Sequence, residues 1–204
     1  GSSGQGDTGY DIDQSLRFDG DTGNSQLCRT PASASNRKTF TISFWCKINL
    51  PTEGSIFDGD MTDINGFMMQ LKTTGAIYFY DYYSGGTGFQ VTTDRLFRDY
   101  SNWYHFLIAV DTTQSTDSNR FKFYVNGEQQ DMSSWTAHAQ RYPTQDGDMA
   151  WNNNRQMCIG NGAISNDHAD CYLAEFHSID GQALTPASFG ETNSATNQWV
   201  PVEY

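Results

Sequence analysis

The stretch WYHFLIAVDTTQSTDSNRFKFYVNG, residues 103–127, decides the fold because it combines two strand patterns with a tight-turn signal. Its first part, WYHFLIAVD, is apolar at successive positions, which predicts a strand covered on both faces. Its second part, RFKFYVNG, alternates, so that every second residue from Phe121 to Val125 points to one side. The polar loop between them and the Asn126-Gly127 pair, which favours a type I′ turn, complete an antiparallel meander. A meander this apolar needs a second sheet to cover it.

The composition of the whole chain agrees with an all-β fold, a two-sheet antiparallel β-sandwich. Of the 204 residues 14% are aromatic and only 18% are charged, and short aromatic runs alternate with turn residues. Further strands are predicted at 15–18, 27–29, 40–48, 55–57, 67–71, 76–83, 89–92, 156–160 and 171–179, the last two as a closing hairpin. The predicted core comprises Phe44, Cys46, Phe106, Ile108, Phe121, Phe123 and Val125. We expect a single domain over residues 9–204 with an extended C-terminal tail, and a tag or linker at residues 1–8.

The net charge of −12 limits the partners that the chain can bind. An acidic surface disfavours nucleic acid and anionic membranes, whose phosphates need a basic partner. No apolar run reaches the length of a membrane span, so we expect no membrane insertion. The acidity suits either a solvated surface or the binding of divalent cations.

The four cysteines form no CxxC pair, which argues against a zinc ribbon or a redox motif. Cys46 falls in phase with the apolar residues of 40–48 and is expected to be a small buried hydrophobe. Cys158 and Cys171 flank a loop between two predicted strands and could face each other. We expect free thiols, and the sequence leaves the pairing open.

Several motifs together carry a family resemblance, namely SLRF (15–18), RTPASASNRKTFTISFW (29–45), FRDYSNW running into the opening stretch (97–127), YLAEFHSIDGQALTPASFGE (172–191) and WVP (199–201). From about Gly9 to Tyr204 the chain resembles the laminin-G-like, concanavalin A-like jelly-roll domains in structural proteins of tailed bacteriophages, many of them marine. The resemblance implies a two-sheet sandwich located in the virion, as part of a tail fibre, an appendage or the capsid surface. It implies contacts with other virion proteins or copies of the same chain, and adhesion to host-surface glycans. It fixes no ligand, because jelly rolls host many functions.

The sequence predicts no catalytic site. Glycoside hydrolysis needs two carboxyl groups at a fixed separation, but the five glutamates are far apart in sequence. The pairs Asp58/Asp60 and Asp146/Asp148 lie beside glycines in predicted turns. No serine lies in a nucleophile elbow. A glycan hydrolase is therefore the less favoured alternative, and a free-standing carbohydrate-binding lectin module is the main one.

The segment DGDMTDING, residues 58–66, is the candidate metal site. It contains Asp58, Asp60, Asp63 and Asn65, whose hard oxygens suit Ca²⁺. The spacing does not match an EF-hand loop and the terminal bidentate glutamate is missing, so turn formation explains the same residues without an ion. The segment NDHAD at 166–170 is a second, weaker candidate.

Sugar binding needs aromatic faces beside polar side chains. Five aromatic residues lie next to glycine-rich or polar loops and are the candidate ligand-binding residues: Tyr82, Tyr83, Trp135, Tyr142 and Trp151. The last three belong to the long segment 129–155, which is expected to carry function or to cap the sandwich. Trp135 is the expected anchor of a contact with a protein or a glycan. The alternative is that these aromatic side chains hold long loops on the sandwich.

Overall fold

The computed structural model describes residues 10–20, 25–49, 53–62, 65–82, 88–137, 139–160 and 168–204. The expected tag or linker at residues 1–8 lies outside these ranges. The described residues form strands β1 (Leu16–Phe18), β2 (Leu27–Arg29), β3 (Thr39–Ile48), β4 (Gly54–Thr62), β5 (Asn65–Leu71), β6 (Ile77–Tyr82), β7 (Phe89–Thr93), β8 (Tyr104–Asp111), β9 (Phe121–Val125), β10 (Glu128–Gln129), β11 (Met132–Ser134), β12 (Met157–Ile159), β13 (Cys171–Asp180), β14 (Gly190–Thr192) and β15 (Trp199–Pro201). Short 3-10 turns span Asp117–Asn119 and Pro186–Ser188. No helix in these ranges has the length and hydrophobicity that a membrane crossing needs.

Two large antiparallel sheets form the sandwich, as predicted. The six-stranded sheet has the order β1-β13-β3-β8-β9-β10, and the seven-stranded sheet has the order β11-β7-β6-β5-β4-β12-β2. The opening stretch lies in the middle of the six-stranded sheet, where β8 pairs with β3 and β9. Asn126 and Gly127 have φ values of +50° and +83°, so both occupy the left-handed region that a type I′ turn requires.

The core lies between the inner faces of the two sheets. All seven predicted core residues are at most 1% exposed: Phe44, Cys46, Phe106, Ile108, Phe121, Phe123 and Val125. Phe123 joins the two layers, because its ring centroid lies 4.9 Å from that of Phe79 in the seven-stranded sheet and 5.6 Å from that of Phe106 on the neighbouring strand. Such tilted and edge-on ring contacts add to the free energy of burial.

The outer face of β8 is also covered, which explains its apolar sequence. Leu107 and Ala109 point away from the main core and form a second buried cluster with Phe189. Phe189 precedes the small β14–β15 sheet, so the C-terminal tail packs on the outside of the six-stranded sheet. The prediction that WYHFLIAVD is covered on both faces is confirmed for residues 104–110, whereas Trp103 at its start is exposed.

The predicted closing hairpin of 156–160 and 171–179 is wrong. Strand β12 pairs with β2 and β4 in the seven-stranded sheet, whereas β13 pairs with β1 and β3 in the six-stranded sheet. The two strands therefore lie in different layers. Proximity in sequence suggested a hairpin, but the two strands pair with neighbours in different sheets.

The cysteine prediction is wrong for Cys158. Cys158 forms a disulfide with Cys28, 130 residues away, because β12 and β2 place them directly opposite each other. Cys171 is a free buried thiol, as expected, and its neighbour is Cys46. A hydrogen bond to Cys171, together with burial, raises the pKa of the Cys46 thiol.

The long segment 129–155 is held by the sandwich itself. Strand β11 extends the seven-stranded sheet beside β7. Further along, the Arg37 Nε donates to the Met149 carbonyl at 2.7 Å, and the backbone N–H of Ala150 donates to Asp81 Oδ1 at 2.9 Å. These bonds offset the entropy lost on ordering a segment of this length.

Candidate functional site

Three tyrosines line the outer face of the seven-stranded sheet. Alternation along β6 directs Ile77 and Phe79 into the core and leaves Tyr78, Tyr80 and Tyr82 on the opposite side. The rings of Tyr80 and Tyr82 are 6.4 Å apart between centroids and inclined by only 18°. The two-residue period of the strand thus produces a row of aromatic rings.

Trp135 extends this row across the sheet. It follows β11, and its backbone N–H donates to the Gln90 carbonyl at 3.0 Å, which fixes it beside β7. Its ring centroid lies 4.7 Å from that of Tyr78 at an angle of 56°. The side chain is still 44% exposed. We call Tyr78, Tyr80, Tyr82 and Trp135 the aromatic face.

Lys72 holds one end of the aromatic face in place. Its Nζ lies 5.0 Å from the ring centroid of Tyr78 and 5.1 Å from that of Trp135, which is cation–π distance for both rings. The same ammonium group donates to Gln70 Oε1 at 2.7 Å and pairs with Glu53. The tryptophan is therefore fixed in orientation on one side and open on the other.

The phenol groups of Tyr78 and Tyr80 stay neutral. Burial raises the pKa of Tyr78, and burial beside Tyr82 raises the pKa of Tyr80. At neutral pH these hydroxyls remain protonated and can both donate and accept hydrogen bonds. The face therefore combines ring surfaces with neutral hydroxyl groups, a combination suited to stacking against the C–H face of a sugar.

The structure places the five predicted ligand-binding residues differently. Tyr82 and Trp135 lie on the aromatic face. Tyr83 lies outside the described residues. Tyr142 is half-buried, with the Arg141 guanidinium 5.4 Å from its ring centroid, and is absent from the described ring contacts of the aromatic face.

Trp151 is a core residue, which corrects the prediction that it binds a ligand. It is 2% exposed, and its ring centroid lies 5.3 Å from that of Phe57. Gly59 makes room for it, because a Cβ at that position would lie 2.7 Å from the indole. Its Nε1 donates to Ser178 Oγ at 3.1 Å, so its polar atom is satisfied inside the protein. Trp151 holds the long segment on the sandwich.

The sequence analysis missed Tyr78, Tyr80 and Lys72. The alternation in AIYFYDYY contains the signal for the two tyrosines, since Ile77 and Phe79 define the inner side of the strand. Lys72 carries no such signal, because the turn at 73–75 and the pairing of β7 with β11 bring it between Tyr78 and Trp135.

Of the four predicted metal ligands, Asp58 alone has a side chain within the described part of the molecule. Asp58 and Asp60 belong to β4 and Asn65 to β5. Asp58 is fully buried, in register with Met68 on one side and Cys158 on the other. Asp63 and the side chains of Asp60 and Asn65 lie outside the described part of the molecule. Within that part no group of three or more His, Cys, Asp or Glu side chains is arranged to hold a metal ion.

The buried histidine of the opposite sheet is arranged for packing. His105 Nδ1 accepts a hydrogen bond from the Trp199 indole at 3.1 Å, so its Nε2 carries the proton and donates to Ser43 Oγ at 2.9 Å. A protonated Nε2 cannot take a proton from that serine. Burial lowers the pKa of His105 to about 4, with a smaller contribution from His177.

The fold and the sequence together identify the family. Two antiparallel sheets facing each other across an aromatic core form a concanavalin A-like jelly roll. The sequence matches the family described as the concanavalin A-like lectin/glucanases superfamily, of laminin G type, over residues 21–188. This protein belongs to that family. No curated protein matches the sequence significantly.

Several solved structures share the fold. The heptameric SAP-like pentraxin from Limulus polyphemus is 15% identical with a TM-score of 0.56, over 84% of this chain and 77% of the pentraxin chain. Domains LG4-5 of the mouse laminin alpha1 chain are 15% identical with a TM-score of 0.56, over 84% of this chain and 43% of the laminin chain. Domain 4 of AbnA, a GH43 extracellular arabinanase from Geobacillus stearothermophilus solved in complex with arabinotriose, is 17% identical with a TM-score of 0.53, over 85% of this chain and 78% of that domain. The chain thus spans less than half of the laminin chain, and at these identities the likeness concerns the fold alone.

Proposed function

We propose that this protein is a non-catalytic glycan-binding domain and that the aromatic face is its binding surface. The observation that carries the proposal is the alignment of Tyr78, Tyr80, Tyr82 and Trp135 on the outer face of one sheet. Folding alone does not require large aromatic rings in these outward positions, because the core is complete on the inner side of β6. Rings arranged in a row suit an extended chain of sugar units.

The chemistry of the face favours uncharged sugars. The side chains provide stacking surfaces and hydroxyl groups, and Lys72, whose ammonium group contacts Tyr78 and Trp135, is already paired with Glu53. The net charge of −12 adds repulsion against anionic polysaccharides. The arabinanase domain with the same fold is solved with arabinotriose, a neutral oligosaccharide, which is consistent with this class of ligand.

The absence of catalysis is part of the proposal. Retaining and inverting glycosidases both need two carboxyl groups facing one sugar bond. In the described residues Glu175 bonds to Tyr10 and His177, Asp58 is buried in β4, and Asp81 accepts from the backbone of Ala150. These groups therefore have structural partners. The expected result is no release of reducing sugar from any polysaccharide that the domain binds.

We further propose a virion setting, in a tail fibre, an appendage or the capsid surface. The motif resemblance to bacteriophage structural proteins supports it, and contacts with other virion proteins or copies of the chain would then accompany glycan adhesion. Labelled antibodies against the domain on purified particles test the setting. A domain that is secreted singly and never found on a particle would instead be a free-standing lectin module.

The binding surface is tested by Trp135→Ala in affinity electrophoresis through gels that contain neutral polysaccharides. The variant should bind about tenfold more weakly or worse, as expected for loss of an exposed aromatic anchor. Leu27→Ala is the matched control, because Leu27 is 53% exposed and lies on the opposite edge of the same sheet. Equal retardation of the wild type and Trp135→Ala would show that Trp135 only holds its segment in place.

A further inference from the structure

Trp103 is an exposed aromatic residue on the other side of the molecule. It precedes β8 in the six-stranded sheet, and its side chain is 37% exposed. It makes an edge-on contact with Tyr172, at 6.5 Å between ring centroids. More than a third of the Trp103 side chain stays accessible beside this contact.

Two grooves meet at this residue. One has a volume of about 480 Å³ and the other about 800 Å³, and Trp45 and Trp103 line both. Each volume falls in the range of about 300–1,000 Å³ that is typical of ligand sites. The N-terminal segment 11–15 borders the smaller groove, and the β14–β15 tail borders the larger one. Trp103 thus stands where a ligand would pass from one groove to the other.

The aromatic floor of the grooves is rigid. The ring of His105 contacts those of Trp45 and Trp199, with centroid distances of 5.2 Å and 6.0 Å. A hydrogen bond from Trp199 to His105 fixes the second indole. Gly127 and Gly190 close around it, because a Cβ at either position would lie 2.5 Å from the Trp199 ring. A surface held this firmly loses little entropy when a ligand binds.

The polar lining of the grooves determines the class of ligand. Asp11, Asp13 and Gln14 line the smaller groove, and no Lys or Arg is among its described lining residues. Carboxylates accept hydrogen bonds and donate none when ionised, so they suit hydroxyl groups and repel anions. The larger groove is lined by one cation, Arg95, and one carboxylate, Glu128, whose opposite charges give it no net preference for an anion, and by Asn126 and Gln198, which donate and accept.

We propose that the two grooves form one binding site for a neutral oligosaccharide, with one sugar ring stacked on Trp103 and further units in the groove on either side. This site lies on the six-stranded sheet, whereas the aromatic face lies on the seven-stranded sheet. The domain then has two binding sites on opposite sides and can join two glycan chains. The proposal does not depend on the aromatic face, since it rests on a different set of residues.

The tryptophans provide a test for each site separately. The chain contains five, and each indole N–H gives its own signal in a ¹H–¹⁵N spectrum, assigned through Trp→Phe variants. The probes are cellotetraose, mannotetraose, chitotetraose and arabinotriose, with trigalacturonate as the anionic probe. We expect at least one neutral probe to shift the signals of Trp103 and Trp199 in a saturable way. The signal of the core residue Trp151 should not move.

Two variants then examine the contacts by titration calorimetry with the neutral probe that binds. Trp103→Ala and Asp13→Ala should each weaken binding by about tenfold, the loss expected for an aromatic anchor or a charged hydrogen-bond acceptor. Leu27→Ala, which removes an exposed apolar side chain from the other sheet, should change affinity by less than about twofold. Unchanged affinity in Trp103→Ala would overturn the proposal.

The remaining outcomes also decide the matter. If no neutral probe shifts the Trp103 signal at its solubility limit, or if only trigalacturonate shifts it, the proposal is wrong. If the Trp135 signal moves while that of Trp103 does not, the proposed groove site is contradicted and the aromatic face is supported as the binding surface. If the signals of Trp103 and Trp199 move while that of Trp135 does not, the groove site is supported and the aromatic face is not.

Discussion

The two outer faces of the sandwich share the same strand geometry but differ in how far other segments cover their outward side chains. On the six-stranded sheet, the C-terminal tail covers the outward residues of β8, so that Leu107 and His105 are buried. On the seven-stranded sheet, the outward tyrosines of β6 are covered only where Trp135 and Lys72 reach Tyr78. The middle of one face is part of the folded interior, whereas Tyr80 and Tyr82 on the other face keep part of their surface exposed.

The difference shows that an outward aromatic or histidine side chain is not evidence of a site by itself. Trp199 and His105 form a hydrogen-bonded pair that attaches the tail, although each would suit a ligand site. Tyr80 and Tyr82 have similar chemistry but no segment over them among the described contacts. What decides the role is the segment that packs, or does not pack, on the face.

The largest effect is expected in the core that both faces share. Phe123→Ala removes a ring that contacts Phe79 across the interface and Phe106 beside it. It should lower the free energy of unfolding by about 3–5 kcal/mol, the usual cost of truncating a buried Phe. Urea denaturation followed by tryptophan fluorescence measures it. A loss below about 1 kcal/mol would show that the inner face of β9 contributes little.

The second test concerns the disulfide, which belongs to the seven-stranded sheet alone. Cys28→Ser/Cys158→Ser should lower the free energy of unfolding by about 2–4 kcal/mol, because the bridge closes a long loop in the unfolded chain. Ellman's reagent should find no reactive thiol in the native wild type and two in denaturant, since Cys46 and Cys171 are buried. Four thiols in denaturant without reductant would contradict the pairing.

The third test is the pH dependence of the covered face. The pKa of His105 is about 4 in the folded protein, against 6.5 for an exposed histidine. Between these values the unfolded chain binds a proton that the folded chain does not, so stability is full above pH 6.5 and falls as the pH drops towards 4. Through His105 alone, the free energy of unfolding should fall by up to about 3 kcal/mol over this pH range. Urea denaturation at a series of pH values measures it.

A matched variant shows whether His105 is the source. His105→Gln keeps a polar side chain but cannot titrate. It should be less stable than the wild type at pH 7 and should vary less with pH between 6.5 and 4. An equally steep profile in the variant would assign the pH dependence to other groups.

The smallest effect on folding is expected on the open face. Trp135→Ala removes a side chain that is 44% exposed and packs on one tyrosine and one lysine. Its free energy of unfolding should fall by only about 1–2 kcal/mol, from the lost ring and cation–π contacts. Thermal and urea denaturation measure this loss beside the binding assay. A loss as large as that of Phe123→Ala would show that Trp135 has a structural role, like the residues covered by the C-terminal tail.

Much of the fold could be predicted from local sequence. The alternation of RFKFYVNG, the continuous apolar run before it and the Asn126-Gly127 turn each have a local physical cause, and the structure confirms the meander they predict. The same period of two, read along β6, also separates the inner phenylalanine from the outer tyrosines. Part of the aromatic face was therefore encoded in the strand pattern.

The sequence by itself determined most of the strands, their alternating faces and the core between the sheets, because side-chain direction in a strand follows from the backbone period. The short strands β11, β14 and β15 were not among those it predicted. Only the tertiary structure decided which strands are neighbours, and with them the Cys28–Cys158 bridge and the separation of β12 from β13. It also decided that Trp151 is core, Trp135 is surface and Trp199 covers His105. Contacts between residues distant in sequence depend on how all the layers pack together, and no local pattern specifies that packing.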